Sequence, residues 1–185
     1  HMKGKKARVN FEAVYHDAIV YVNGKKVGEH IGKGYTPFSF DVTSFLKSGQ
    51  ENRLRVVVDN SYSDYNFPFQ RAFDWANDGG IYRNVNLHLT GLRSIRYAHF
   101  TPSLSLNDNC GHTHLSIRLY EENVRSATFC ILLREKQTGH AIVEKRLALK
   151  RSAAGTFDTD IDCGKVHPWH FDNPTLYAFE VSVLD

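Results

Sequence analysis

The sequence predicts an all-β protein made of two sandwiches in tandem. Three observations carry this: apolar residues alternate with period two, turn residues break the chain at short intervals, and no helical period of 3.6 is sustained. A length of 185 residues leaves room for one generous domain or two small ones. An eight-stranded (β/α) barrel needs about 250 residues and is therefore excluded. With 42% hydrophobic, 12% aromatic and 23% charged residues, the chain has the apolar content to bury cores, which argues against disorder and fibres.

Taken in order, Ala18 to Val22 is apolar on both faces, and Asn23-Gly24 then supplies the positive φ angles of a two-residue type I′ hairpin before Lys25-Lys26-Val27. A short helical turn is expected at Ser44 to Ser48, with Thr43 as N-cap and Gly49 just past its end. Leu54, Val56 and Val58 alternate with Arg53, Arg55 and Val57, and Val85, Leu87 and Leu89 alternate with Asn84, Asn86 and His88, so each run has one core face. After Gly91 a second series begins. Leu115, Ile117 and Leu119 form one face, Ala127, Phe129, Ile131 and Leu133 another, and Tyr177, Phe179, Val181 and Val183 close it. Turns fall at Asn107-Asp108-Asn109, Gln137-Thr138-Gly139, Ala154-Gly155 and Cys163-Gly164. Strands of this length and spacing match an immunoglobulin-like sandwich by count, although the antibody Cys-Trp-Cys pattern is absent. The boundary falls near Gly91 to Arg93, giving domains 1–91 and 92–185.

Several function classes drop out on charge and motif. A formal charge of +3 comes from 23 basic and 20 acidic residues spread along the chain, so neither a nucleic-acid stripe nor a polybasic membrane patch stands out. Lys3, Lys5, Lys6 and Arg8 form the densest basic stretch and are expected in a solvated tail. Apolar runs fall far short of the ~20 residues of a membrane span. No signal peptide is visible, and His1-Met2 looks like the remnant of an expression tag, so periplasmic, secreted and cytoplasmic locations all stay open. Cys110, Cys130 and Cys163 are an odd number without CxxC spacing, which speaks against a disulfide framework or zinc site and for plain thiols. His112 and His114 share a strand face and His167 and His170 bracket Pro168-Trp169, but no further ligands occur at metal spacings, so surface or structural roles are expected. Asp158, Asp160 and Asp162 share a face superficially like a cation site; without the glycine turn of a calcium loop they read as a polar outer face. Glu121-Glu122 do not converge and read as a solvated edge. No G-x-S-x-G elbow exists to activate a serine. No metal and no cofactor are expected.

Asp59 to Gly79 is different. It is a long segment without clean alternation, carrying Tyr62, Tyr65, Phe67, Phe69, Phe73 and Trp75 together with Asp59, Asp64, Asp74 and Asp78. Loops of this length in compact domains are commonly functional or disordered, and this many aromatics argue against disorder. Two readings stay open: a functional loop, or a cap folded over the end of the sandwich core.

Three ordered stretches resemble the family 2 glycoside hydrolases, which include β-galactosidases, β-glucuronidases and β-mannosidases. The first is Ala18-Ile19-Val20-Tyr21-Val22-Asn23-Gly24-Lys25-Lys26-Val27-Gly28, continuing through His30 and Gly34-Tyr35-Thr36-Pro37-Phe38 to Phe40-Asp41-Val42-Thr43. It is similar to the signature of the family's N-terminal sugar-binding jelly roll. The second is Val57-Val58-Asp59-Asn60, followed by Asp74-Trp75 and Gly79-Gly80-Ile81-Tyr82-Arg83-Asn84-Val85. The third, Trp169 with Asn173-Pro174, Leu176 and Tyr177, resembles the strand that closes the family's immunoglobulin-like domain; Phe171 and Asp172 stand where that pattern has Pro and Glu.

The resemblance implies a partial, galactose-binding-like jelly-roll β-sandwich followed by an immunoglobulin-like β-sandwich. It also implies that the leading strands of the jelly roll and the catalytic barrel lie outside these residues. The family's two catalytic glutamates belong to that barrel. The acid/base glutamate follows an asparagine there, and no Asn-Glu dipeptide occurs in this chain. The chain alone is therefore expected to be non-catalytic, while its parent is expected to hydrolyse β-glycosides, most simply β-galactosides. Asp74 stands six residues before Gly80 of Gly80-Ile81-Tyr82-Arg83, where the family places an aspartate that reaches into the barrel's active site. The resemblance thus implies substrate contact by Asp74, with Phe73 and Trp75 shielding its hydrogen bonds and stacking on sugar C–H faces. The alternative is a carboxylate that accepts backbone N–H groups within the loop. Arg83 is expected to pair with a carboxylate and hold the loop on its sheet. Expected partners are a carbohydrate, the barrel of the same polypeptide and, through exposed strand edges, a second copy. A free-standing carbohydrate-binding module is the competing reading.

Overall fold

The computed structural model describes residues 3–65 and 76–184. Among the described residues there is no α-helix; fourteen strands account for the regular structure, with one 3-10 turn at Thr43–Phe45. The chain divides into two compact units, 1–92 and 93–185.

In the first unit, β1 (Lys6–Phe11) lies between β5 (Phe38–Asp41) and β8 (Val85–Thr90), and β3 (Asp17–Val22) lies between β4 (Lys25–His30) and β6 (Leu54–Asp59). A two-residue pair, β2 (Val14–Tyr15) with β7 (Gly80–Ile81), stands apart from these sheets. All pairings are antiparallel. The β3–β4 hairpin turns on Asn23 (φ 51°) and Gly24 (φ 80°), as the Asn-Gly signal requires. Asn23 also locks it in place: its amide donates to the Phe45 carbonyl and to Asn52 Oδ1, both at 2.8 Å, and its Oδ1 accepts the Arg53 N–H at 3.0 Å. Ala7, Val9 and Phe11 of β1 and Ala18, Val20 and Val22 of β3 are buried in one cluster between the two sheets.

Three expectations change here. The short helical turn begins one residue earlier than the N-cap pattern suggested and already ends at Phe45, not Ser48; Thr43 sits inside it, because the Asp41 carboxylate accepts both the Thr43 N–H (2.9 Å) and its Oγ1–H (2.6 Å). Arg8 is not in a solvated tail but is only 7% exposed on β1, in register with Asp41. Third, Leu54, Val85, Leu87 and Leu89 do face the core side, since they stand opposite Val22, Phe11, Val9 and Ala7, yet Leu87 and Leu89 are 55% and 51% exposed. Among the described residues β6 and β8 are edge strands, and a cavity of about 240 Å³ lined by Val9, Val22, Leu54, Val85 and Leu87 opens beside them.

In the second unit, β10 (Cys110–Leu119) lies between β9 (Ile95–Ser105) and β13 (Phe157–Lys165), and β11 (Ser126–Glu135) lies between β12 (Ala141–Lys150) and β14 (Tyr177–Leu184). The alternation read from the sequence holds: Leu115, Ile117, Leu119, Phe129, Ile131 and Leu133 are buried in one core shared by the two sheets. Phe129 packs on Phe157 with ring centroids 5.3 Å apart, and Phe100 stacks on Phe179 at 4.2 Å, joining strands of different sheets.

Candidate functional site

Asp74, Trp75 and Phe73 lie outside the described residues. What the structure describes is the stem of the loop that carries them. On one side, the Asp59 carboxylate at the end of β6 accepts the Ser61 Oγ–H at 2.6 Å and the Ser61 N–H at 2.8 Å. These bonds, led by the hydroxyl, hold the Asp59 carboxyl below its usual range despite some burial, with His16 adding to the effect. Across the stem, Asn60 Nδ2 donates to the Asn77 carbonyl at 2.7 Å, and Asn77 Nδ2 donates back to the Asn60 carbonyl. This reciprocal pair ties residues 60 and 77 together. Gly79 is required beside it, because a Cβ there would meet the Asn60 side chain at 2.6 Å.

The stem rests on three tyrosines and a histidine. Tyr15 and Tyr35 have ring centroids 5.5 Å apart, Tyr35 and Tyr82 6.3 Å, and the Tyr82 hydroxyl donates to the Gly34 carbonyl at 2.8 Å. Gly34 has no room for a side chain, since a Cβ would come within 2.5 Å of the Tyr15 ring. Burial raises the Tyr15 hydroxyl above the ordinary tyrosine range, reinforced by Tyr62 and offset by a hydrogen bond with Tyr35. His16 is buried, with Nε2 2.9 Å from the Ser61 carbonyl and Nδ1 2.9 Å from Asp17 Oδ1. The sequence reading singles out neither His16 nor Asn77, because their roles depend on partners far along the chain. Arg83 is exposed and makes no ion pair among the described residues; the middle of the loop that it was expected to anchor, with Asp74, lies outside them.

The second unit holds two further groupings. Register brings His112 opposite Asp162, His114 opposite Asp160 and Ser116 opposite Asp158, so the two rows read separately in the sequence form one outer face. His114 Nδ1 lies 2.8 Å from Asp160 Oδ1 and His112 Nδ1 3.7 Å from Asp162 Oδ1. Among the described residues, no group of three or more His, Cys, Asp or Glu is arranged to hold a metal ion. An apolar cleft of about 700 Å³ opens at the end of the sandwich, between Phe100, Leu104, Val166, Tyr177 and Phe179, with Trp169 61% exposed on its rim. Glu121 is not merely a solvated edge: its carboxylate accepts the N–H of buried Ser94 at 2.9 Å. The three thiols are unpaired, and burial pushes that of Cys163 up.

Residues 1–91 match the family described as glycosyl hydrolases family 2, sugar binding domain. The chain is 31% identical to a β-galactosidase of Thermoanaerobacter pseudethanolicus over 185 residues, covering 98% of this chain and 24% of that protein. It is 33% identical to a putative β-glucuronidase of Formosa agariphila over 183 residues, 95% of this chain and 20% of that protein. A β-glucuronidase of the same organism is 45% identical over 91 residues, 46% of this chain and 9% of that protein. Among solved structures, a putative β-galactosidase from Bacteroides fragilis superposes on 100% of this chain and 28% of its own with a TM-score of 0.83; at 24% identity this shows the fold alone. The chain spans about a quarter or less of the length of these curated relatives. Residues 1–91 therefore belong to the family 2 glycosyl hydrolases as their sugar binding domain, and the chain continues into a further β region that the first two of these relatives share.

Proposed function

We propose that this chain is the non-catalytic N-terminal portion of a family 2 β-glycosidase of the β-galactosidase type, supporting a catalytic barrel and lending it a sugar-contacting loop. The observation that carries this reading is the similarity to a β-galactosidase along nearly the whole chain. The reaction itself needs two carboxyl groups about 5–5.5 Å apart, which the barrel would supply. Asp74 would accept hydrogen bonds from sugar hydroxyls, with Phe73 and Trp75 excluding water from them. The described stem supports such a role: a loop pinned by the Asn60–Asn77 pair and by His16 can hold a side chain still, and binding geometry has to be held tightly to contribute to catalysis.

In the complete enzyme, Asp74→Asn is expected to lower kcat/KM on aryl β-galactosides by about 100-fold or more, the scale of losing a transition-state hydrogen bond. The melting temperature should stay unchanged, and an unaltered kcat/KM would return Asp74 to a structural role. A β-glucuronide substrate is the second reading, favoured by the 45% identity of one half of the chain to a β-glucuronidase. Comparing kcat/KM on the two aryl glycosides decides between them. The open edges at β6 and β8 also favour association between copies of the isolated chain. Sedimentation velocity should show a concentration-dependent species, and a single monomer boundary throughout would remove this part of the reading.

A further inference from the structure

We propose that the clefted end of the second sandwich is a self-complementary contact through which two copies of this chain pair, each seating Phe171 in the cleft of the other. Phe171 stands at the tip of a tight turn. The turn is closed from both sides, with the His170 N–H donating to the Asn173 carbonyl at 3.2 Å and the Asn173 N–H to the His170 carbonyl at 3.0 Å, and the Asp172 N–H donates to His170 Nδ1 at 3.2 Å. Such a turn needs nothing bulky at its tip. Proline, which the resembled pattern has at this place, suits the second position of a turn better. This chain instead holds a phenyl ring there, 74% exposed and tilted against the His170 ring with centroids 4.2 Å apart. A ring presented on a fixed turn has little freedom left to lose when a partner buries it.

The same end of the sandwich holds the place for it. The apolar cleft of about 700 Å³ lies between Phe100 and Leu104 of β9 and Tyr177 and Phe179 of β14, with Trp169 on its rim. Its size is that of pockets that enclose a whole small molecule, ample for a phenyl ring and a leucine. Phe171 and Leu106 do not line it in their own chain. Leu104, Leu106, Trp169, Phe171 and Leu176, between 37% and 80% exposed, together offer on the order of 600 Å² of apolar surface. A standard interface takes about 800 Å² from each partner, about 65% of it apolar in homodimers, so this patch supplies the share that a stable pair needs. Knob and hole on one surface suit a two-fold contact, because the axis that carries one Phe171 to the partner's cleft returns the partner's ring to the first. Arg93, where the sandwich begins, and Leu184, where β14 ends, lie side by side at the other end, with Arg93 Nη1 donating to the Leu184 carbonyl at 3.4 Å; β9 and β14 separate that end from the cleft by about 30 Å. A second copy can therefore approach the cleft end-on, away from both points where the chain enters and leaves the sandwich.

The test is made on the 185-residue chain by sedimentation velocity together with backbone-amide and indole NMR over a dilution series. The signals of 104–106 and 166–176 and the Trp169 indole N–H should shift with the same midpoint as the mass of the dimer. Phe171→Pro, which keeps the turn, should weaken the pairing about tenfold or more and remove those shifts without lowering the melting temperature. Phe171→Ser gives the same reading should the proline variant not fold. Signals at this end that ignore dilution up to millimolar concentration, or a dimer whose midpoint survives the Phe171 substitution, would overturn the proposal. In the second case the association belongs to the open edges of β6 and β8, whose signals are then the ones that move. Shifts of 104–106 and 166–176 produced only by an added anilinonaphthalene sulfonate dye would overturn it too, and would assign the cleft to a small apolar ligand.

Discussion

Asp41 shows how one side chain can organise a turn and set a pH limit. It accepts two hydrogen bonds from Thr43 and lies in register with Arg8. Burial works against its charged form, but the Thr43 bonds together with Arg8 and Lys6 outweigh it and hold the carboxyl below its usual range. A carboxyl whose folded pKa lies below its unfolded value of about 4 contributes stability above that value and loses it as pH falls through the lower folded one. Asp158, hydrogen-bonded by Ser116 Oγ at 2.7 Å and Thr156 Oγ1 at 2.8 Å, is shifted the same way against its own burial. Urea unfolding should therefore show stability falling below about pH 4, and the fall should be shallower in Asp41→Asn; identical slopes would refute the assignment. At this scale the sequence was legible only where a pattern was local. Thr43 and Asp41 stand two apart, so the place of the turn is legible although its cap and length are not, whereas Arg8 reads as tail because nothing nearby in sequence announces that a strand on each side covers it.

Elements show the same limit in another form. Phe129 on β11 and Leu87 on β8 have equally clean alternation, and both point toward a core. Alternation specifies a face but not what lies across from it. Phe129 is sealed by Phe157 and the facing sheet, while Leu87 stands on an edge strand with its inner side open. Phe129→Ala is thus expected to cost about 3–5 kcal/mol, with its cavity term, and Leu87→Ala under about 1 kcal/mol. Equal losses in chemical denaturation would mean that the edge is covered in solution. The ladder of His112 and His114 against Asp162 and Asp160 was hidden for a related reason. Each row was visible as a period-two pattern, but their meeting is fixed by a register between strands more than 40 residues apart, about which neither row says anything.

For the molecule as a whole, the decisive contrast is between a binding module and a part of an enzyme. A free-standing module would carry its whole site in these residues and would bind a monosaccharide with no help. A part of a larger enzyme would bring one loop to a site whose two reacting carboxyl groups lie elsewhere, and contacts from one side of a sugar alone have little to set against the cost of fixing it. The 185-residue chain is therefore expected to release no detectable product from aryl β-galactosides or β-glucuronides, and to show no heat of binding to galactose, glucuronate or mannose below millimolar concentration. Turnover by the chain would mean that it holds a reacting pair of carboxyls unlike the family's, and would sink the enzyme-part reading. Binding tighter than millimolar without turnover would instead favour the module.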